Sequence, residues 1–205
     1  MRMALSVQHR SVGPMDNTVY LVTDHDSGDR LLIDAAAEPD AIASLLGDGP
    51  VRWLLTTHSH HDHIGALAAV AAAHPEATVL AGDADADAIT AATGVRIGRR
   101  LHDGDTLALG EHTLDVIGLR GHTPGSVAVA AEIDGVVNLF TGDSLFPGGV
   151  GNTDHDPGRF ASLLGDVVAR VFDRYDDAVV WPGHGRPTTL GVERPHLGEW
   201  RARGW

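Results

Sequence analysis

The chain has 205 residues, enough for a hydrophobic core without staples, and the expectation is one domain over 1–205. It contains no cysteine, which excludes disulfides, thiolate metal ligands and a cysteine nucleophile, so any metal must be held by imidazole and carboxylate. A net charge of −13, with 15 cationic residues that are all arginine, argues against a nucleic-acid partner and removes every lysine-based mechanism.

The opening residues Met1-Arg2-Met3-Ala4-Leu5 carry no apolar stretch of signal-peptide length, and no segment approaches the ~20 apolar residues of a membrane span. A soluble, cytoplasmic protein acting on a small molecule, with no membrane partner, is expected. Residues 17–23 (NTVYLVT) and 30–34 (RLLID) are apolar runs flanking a DHDSGD turn signal, and predict two strands. Pro39 and Gly47 punctuate a helix over 38–47. A buried strand at 51–55 runs into TTHSHHDH at 56–63, and the alanine-rich stretch 64–73 predicts a helix. Strand 78–81 and helix 84–92 follow.

In the second half, 103–110 with 114–119 predicts a hairpin, and 127–133 with 136–141 predicts two strands joined at Asp134-Gly135. Phe160, Leu163, Leu164, Val167, Val168, Val171 and Phe172 carry helical spacing across 159–174. A last strand at 178–181 ends in Pro182-Gly183-His184-Gly185. Each half gives strands and then a helix, an order that suggests two mixed sheets packed face to face with helices outside.

Thirteen histidines are many for this length, and His58, His60, His61, His63, His122 and His184 all fall in short loop contexts. The strongest of these is H-S-H-H-D-H at 58–63. His58 and His60 are two apart in an extended segment, so both rings can face one side. Asp62 and His63 then lie where the next helix begins, and a helix N-terminus favours a carboxylate. One turn thus offers three imidazoles and a carboxylate to a shared point, whereas His61, interleaved between them, should point away. Chance would supply the pattern H-x-H-x-D-H in roughly one chain in two hundred of this composition. His122 in Gly-His-Thr-Pro-Gly, Asp143 after the strand ending at Thr141, and His184 after the strand ending at Trp181 could each be an ordinary turn residue alone. With 58–63 they add up to three ligands per metal plus a shared carboxylate, leaving positions open for water.

Asp34 at a strand end, His58-x-His60-x-Asp62-His63, Gly121-His122-Thr123-Pro124-Gly125-Ser126, Thr141-Gly142-Asp143-Ser144-Leu145-Phe146 and Pro182-Gly183-His184-Gly185, in that order, resemble the metallo-β-lactamase superfamily, and within it the small glyoxalase II-like branch. The resemblance covers nearly the whole chain. It implies an α/β fold, the four-layer αββα sandwich, with the site at one edge of the sheets. It assigns His58, His60 and His122 to one divalent metal, Asp62, His63 and His184 to the other, Asp143 to the bridge, and Asp34 to a supporting place behind the ligands. Two zinc ions are implied, with iron or manganese also compatible with these donors. Asp62 and Asp143 are the carboxylates that would orient an attacking hydroxide on an ester, thioester or lactone and relay its proton.

Departures from the pattern narrow the chemistry. True β-lactamases of this fold lack the bridging aspartate, and acyl-homoserine lactonases place a tyrosine where this chain has Phe146. Full-length glyoxalase II ends in a helical domain whose basic residues hold glutathione, whereas 21 residues follow His184 here, none of them lysine. A second reading comes from persulfide dioxygenases, which bind one iron; His58, His122 and Asp143 would be its ligands. That family usually carries Gly-Arg-Thr-Asp where this chain has Gly151-Asn152-Thr153-Asp154.

Overall fold

The computed structural model describes residues 5–204; the opening Met1-Arg2-Met3-Ala4, on which the expectation of no signal peptide falls, lies outside the described residues. Strands β1 (Leu5–Val12), β2 (Asn17–Asp24) and β3 (Arg30–Ile33) form an antiparallel meander. Helix α1 (Pro39–Leu46) then crosses over to β4 (Trp53–Thr56), which lies parallel to β3. The short α2 (His61–Ile64) and α3 (Leu67–Ala73) lead to β5 (Thr78–Gly82), and α4 (Asp83–Thr93) leads to β6 (Arg99–Leu101), both strands again parallel to their neighbours. These six strands make one mixed sheet in chain order.

The second six-stranded sheet has the order β14-β13-β10-β9-β8-β7. It comprises β7 (Thr106–Leu109), β8 (His112–Gly118), β9 (Val127–Ile133), β10 (Val136–Gly142), β13 (Val179–Pro182) and β14 (Thr188–Thr189). A small hairpin, β11 (Leu145–Phe146) with β12 (Gly149–Val150), follows β10. Helix α5 (Pro157–Val167) continues into a π-helical turn at Val168–Phe172 before β13, and α6 (Leu190–Glu193) and α7 (Leu197–Arg203) close the described chain.

Side chains alternate across each strand, and here both faces are covered, which is why most strands read as unbroken apolar runs. Leu32 and Leu54 face α1, α3 and α4 with Ile42, Leu67, Val70 and Ile89. Leu31, Ile33 and Leu55 turn the other way and meet Val116, Val129 and Phe140 of the second sheet. Ile117, Ala128 and Leu139 on the far face of that sheet pack on Leu163, Val167 and Trp200. Three apolar seams therefore separate four layers, helix–sheet–sheet–helix, as the sequence suggested.

Two expected helices differ in detail. The stretch 64–73 is broken after Ile64, because a Cβ on Gly65 would come 2.6 Å from the Ala36 carbonyl oxygen, while Ala66 N–H donates to Ala35 O at 3.0 Å. The turn after β3 thus lies against the chain there, and the Ala66 N–H goes to it rather than to the preceding helical turn. The helix expected over 159–174 begins earlier, at Pro157, where Asp156 accepts from the N–H groups of Gly158 and Arg159 at its N-terminus.

The topology gathers strand ends. Parallel pairing of Ile33 with Leu55 puts Asp34 beside the segment that follows β4, and pairing of Gly142 with Pro182 lets Asp143 and His184 emerge side by side. The sheets are tied at this edge: Thr18 N–H donates to Gly183 O at 2.7 Å, Tyr20 Oη to Pro182 O at 2.6 Å, and Val127 N–H to Thr57 O at 2.9 Å.

Candidate metal centre

Asp34 is the inner post of the site. It is 2% exposed and holds a left-handed backbone, φ 59. Its Oδ1 accepts from Thr57 N–H and its Oδ2 from Thr57 Oγ1, both at 2.7 Å, and Oδ2 also accepts from His63 Nδ1 at 2.8 Å. The carboxylate expected behind the ligands therefore stands directly behind His63 and fixes the start of the 57–63 turn.

The other sequence-expected residues converge on one concavity. His58 Nε2 lies 3.1 Å from His60 Nδ1 and 3.3 Å from His122 Nε2. His63 Nε2 lies 3.2 Å from His184 Nε2, and Asp62 Oδ2 is 3.3 Å from His184 Nε2 and 3.6 Å from His63 Nε2. Asp143 sits between the two groups: Oδ1 is 3.4 Å from His63 Nε2, and Oδ2 is 3.4 Å from His184 Nε2 and 3.6 Å from His122 Nε2. His58, His60 and His122 form one set able to hold a metal ion, Asp62, His63 and His184 another, and His58, His63 and Asp143 a set between them. His61 points into solvent, its side chain 90% exposed, as its place in the motif led one to expect.

His122 Nδ1 faces Asn152 O at 2.7 Å, His184 Nδ1 faces Met15 O at 2.8 Å, and His63 Nδ1 faces Asp34, so each must donate from Nδ1. Thr57 Oγ1 spends its one hydrogen on Asp34, and so accepts from His58 Nδ1 at 3.1 Å. In their neutral forms all four rings therefore turn an Nε2 lone pair inward. Asn17 Nδ2 lies 3.3 Å from His184 Nε2, but it donates at 2.9 Å to Asp62 Oδ2. The lone pairs of His58 and His122 confront each other, and the buried Asp143 Oδ1 has no hydrogen-bond donor. Lone pairs aimed at one another beside an unpartnered carboxylate oxygen call for positive charge, and divalent cations meet that demand.

The electrostatics follow the same division. Burial pushes the His58 pKa well down, helped by the neighbouring imidazoles; burial likewise lowers His122, against the pull of the Asn152 carbonyl. Burial opposes charge on His63 too, but Asp34 and Asp143 outweigh it and hold its pKa up at about 10. The Asp143 contact raises His184. Burial works against the Asp143 charge, yet the contacts to His184 and His63 prevail and keep the carboxyl ionised far below the usual range. Asp62 is held low as well, the Asn17 amide offsetting its desolvation.

Several supports escaped the sequence. Asn17 opens β2 with its side chain on Asp62. Arg159 donates to the carbonyls of Gly121 (2.8 Å) and His122 and to the Asp154 carboxylate, so it clamps the His122 turn from α5. A polar residue starting an otherwise buried strand, and a lone arginine on an apolar helix, were the signals available. His60 is exposed at the mouth, and beside His122 a cleft of ≈ 390 Å³ is lined by Val150, Gly151, Asn152, Thr153 and His155.

The sequence profile of the metallo-beta-lactamase superfamily matches residues 12–184. The chain belongs to this superfamily. It is 39% identical over 173 residues to a hydroxyacylglutathione hydrolase of Anaeromyxobacter dehalogenans, an alignment covering 82% of this chain and 61% of that protein. It is 29% identical over 168 residues to the human mitochondrial persulfide dioxygenase, covering 80% and 62%. The chain thus spans about three-fifths of the length of these two relatives. Among solved structures, TTHA1623, crystallised in a di-iron-bound form, superposes with a TM-score of 0.71 at 31% identity, covering 91% of this chain and 96% of that one. The αββα sandwich is therefore the metallo-β-lactamase fold; this superfamily binds divalent metals, and the chain carries a His/Asp cluster able to hold them.

Proposed function

We propose that the protein is a dinuclear metal-dependent hydrolase, folded as one domain, that cleaves a thioester or ester of a small molecule. The observation that carries this reading is Asp143, whose two carboxylate oxygens reach both ligand sets, at 3.4 Å from His63 and His184 and 3.6 Å from His122. In this reading His58, His60 and His122 hold one ion, Asp62, His63 and His184 the other, and Asp143 spans them. When bound, the ions supply Lewis-acid charge and lower the pKa of water at the site from ~16 toward ~7.

The chain's own groups do the rest. Asn17 pins Asp62 Oδ2, and Asp62 and Asp143 would orient the attacking water and relay its proton. No cysteine or lysine is available as a competing nucleophile. The hydroxyacylglutathione hydrolase likeness supports a thioester; zinc suits the donors, as iron and manganese also do. The charge of −13 speaks against nucleic acid, and no helix among the described residues is long and apolar enough to cross a membrane, in keeping with a cytoplasmic enzyme.

A second reading rests on the persulfide dioxygenase likeness: His58, His122 and Asp143 alone would hold one iron. Metal analysis of untagged protein beside two assays separates them. Two ions per chain with hydrolysis of a hydroxyacylglutathione thioester is the expected result. One iron per chain, with oxygen uptake on glutathione persulfide and no thioesterase activity, would replace the hydrolase by the dioxygenase. A lactonase would show instead as ring opening of a homoserine lactone, for which Phe146 is the departure.

A further inference from the structure

Helix α4 brings to the back of the centre a carboxylate that none of the chemistry above uses. Asp85, in the first turn of α4, is 1% exposed. Its Oδ2 accepts from Ser59 N–H at 2.9 Å and from Thr123 Oγ1 at 2.6 Å, and its Oδ1 accepts from Gly125 N–H at 2.8 Å. Ser59 lies between His58 and His60; Thr123 and Gly125 follow His122. One buried carboxylate therefore grips both chain segments that carry His58, His60 and His122.

The packing around it is close. A Cβ on Gly125 would come 2.4 Å from Asp85 N, and one on Gly82 would come 1.9 Å from Gly125 O, so the 122–126 turn is fitted to the tip of α4. A buried charge is costly unless its oxygens are satisfied, and three donors at 2.6–2.9 Å satisfy this one. His58 and His122 are 64 positions apart in sequence, yet their Nε2 atoms must be held 3.3 Å apart. Nothing in either segment alone sets that spacing.

We infer that Asp85 is a positioning residue for one metal subsite, setting the separation of His58 and His60 from His122 through Ser59, Thr123 and Gly125 without touching a ligand atom. The inference rests on the two-subsite reading above. Asp85→Asn keeps the shape, but its NH₂ group must face a donor whichever way the amide lies: Gly125 N–H if the oxygen takes the Oδ2 place, Ser59 N–H if it takes the Oδ1 place.

The test titrates Zn²⁺ into metal-free protein against a chelating indicator, with ¹⁵N resonances of the histidine rings reporting which rings bind. In Asp85→Asn the ion held by His58, His60 and His122 should bind about 10- to 100-fold more weakly, while the ion held by Asp62, His63 and His184 keeps its affinity. Thr123→Val should weaken the same ion in the same direction, Thr123→Ser should restore it, and Asp87→Asn on the exposed face of α4 should change neither. Unchanged affinities in Asp85→Asn, or equal weakening of both ions, would overturn the inference. Should Asp85→Asn fail to fold, the Thr123 pair decides: no weakening in Thr123→Val refutes it. A parent protein that takes one ion, on His58, His60 and His122, would sink the dinuclear reading, while the affinity of that ion in Asp85→Asn still decides the role of Asp85.

Discussion

Asp34 Oδ2 stands 2.8 Å from Nδ1 of His63, with both side chains buried, and this contact decides which nitrogen of His63 faces the centre. The same carboxylate accepts two hydrogen bonds from Thr57, so one residue sets both the tautomer of His63 and the geometry of the turn that carries His58, His60 and Asp62. Asp34→Asn retains the shape but replaces an acceptor with an NH₂ group that cannot serve all three donors. Metal affinity measured by chelator competition should fall about 10- to 100-fold, with the greater loss at the ion of Asp62, His63 and His184. Parent-like affinity for both ions would remove Asp34 from the support of the centre.

Bound cations should stabilise the fold. Five imidazoles and two carboxylates are crowded into the site, and any ion that binds the native chain better than the unfolded one adds about 2.7 kcal/mol at a concentration of 100 Kd. Chelation should therefore lower the melting temperature, and readdition of Zn²⁺ should restore it. A melt indifferent to verified metal removal would contradict this.

Away from the centre, Asp166 ties α5 to the strand that leads into the His122 turn. It accepts from Arg120 N–H at 3.0 Å and from the Arg120 guanidinium at 2.9 and 3.0 Å, with Arg170 at 3.4 Å. Burial acts to raise its pKa, but the arginines prevail and hold the carboxyl below the usual range. A depressed folded pKa gives stability that is present above the unfolded value and lost as pH falls, because the unfolded chain takes up the proton first. Asp166→Asn should cost about 1 kcal/mol at pH 7, a modest figure because Arg120 is largely exposed, and the gap should shrink below about pH 4. Urea titrations of parent and variant at pH 7 and pH 3 check it; a gap equal at both would show that the charge is not the source.

Legibility followed burial and sequence separation. Strands such as β3, with Leu31, Leu32 and Ile33 all buried on one face or the other, announce themselves as apolar runs. Strand β1 went unexpected because its centre, Gln8 to Ser11, is exposed along a sheet edge, and β6 because Arg99 and Arg100 make up most of it. The break at Gly65 depends on the Ala36 carbonyl, which no local pattern encodes. In the site, the convergence of these side chains was legible because 58–63 packs four possible donors into one turn. Asn17 and Asp85 were not: Asn17 meets Asp62 across 45 positions, and Asp85 belongs to a DADAD string that reads as a solvated acidic run until α4 turns one of its carboxylates inward.

The most direct test concerns Asp143. Its carboxylate lies between the two sets of side chains, and two divalent ions about 4 Å apart would repel by several kcal/mol even after heavy screening, so in the proposed reading the charge between them would be what permits both to bind. Asp143→Asn preserves the shape and removes that charge; Asp176→Asn and Asp177→Asn serve as controls remote from the ligands. The measurement is metal stoichiometry beside thioester hydrolysis for the three variants and the parent. The expected result is two ions in the parent and both controls, with one ion or none in Asp143→Asn and hydrolysis lost by 10²-fold or more. An Asp143→Asn protein that still holds two ions and hydrolyses at the parent rate would contradict the bridge, and with it the dinuclear hydrolase.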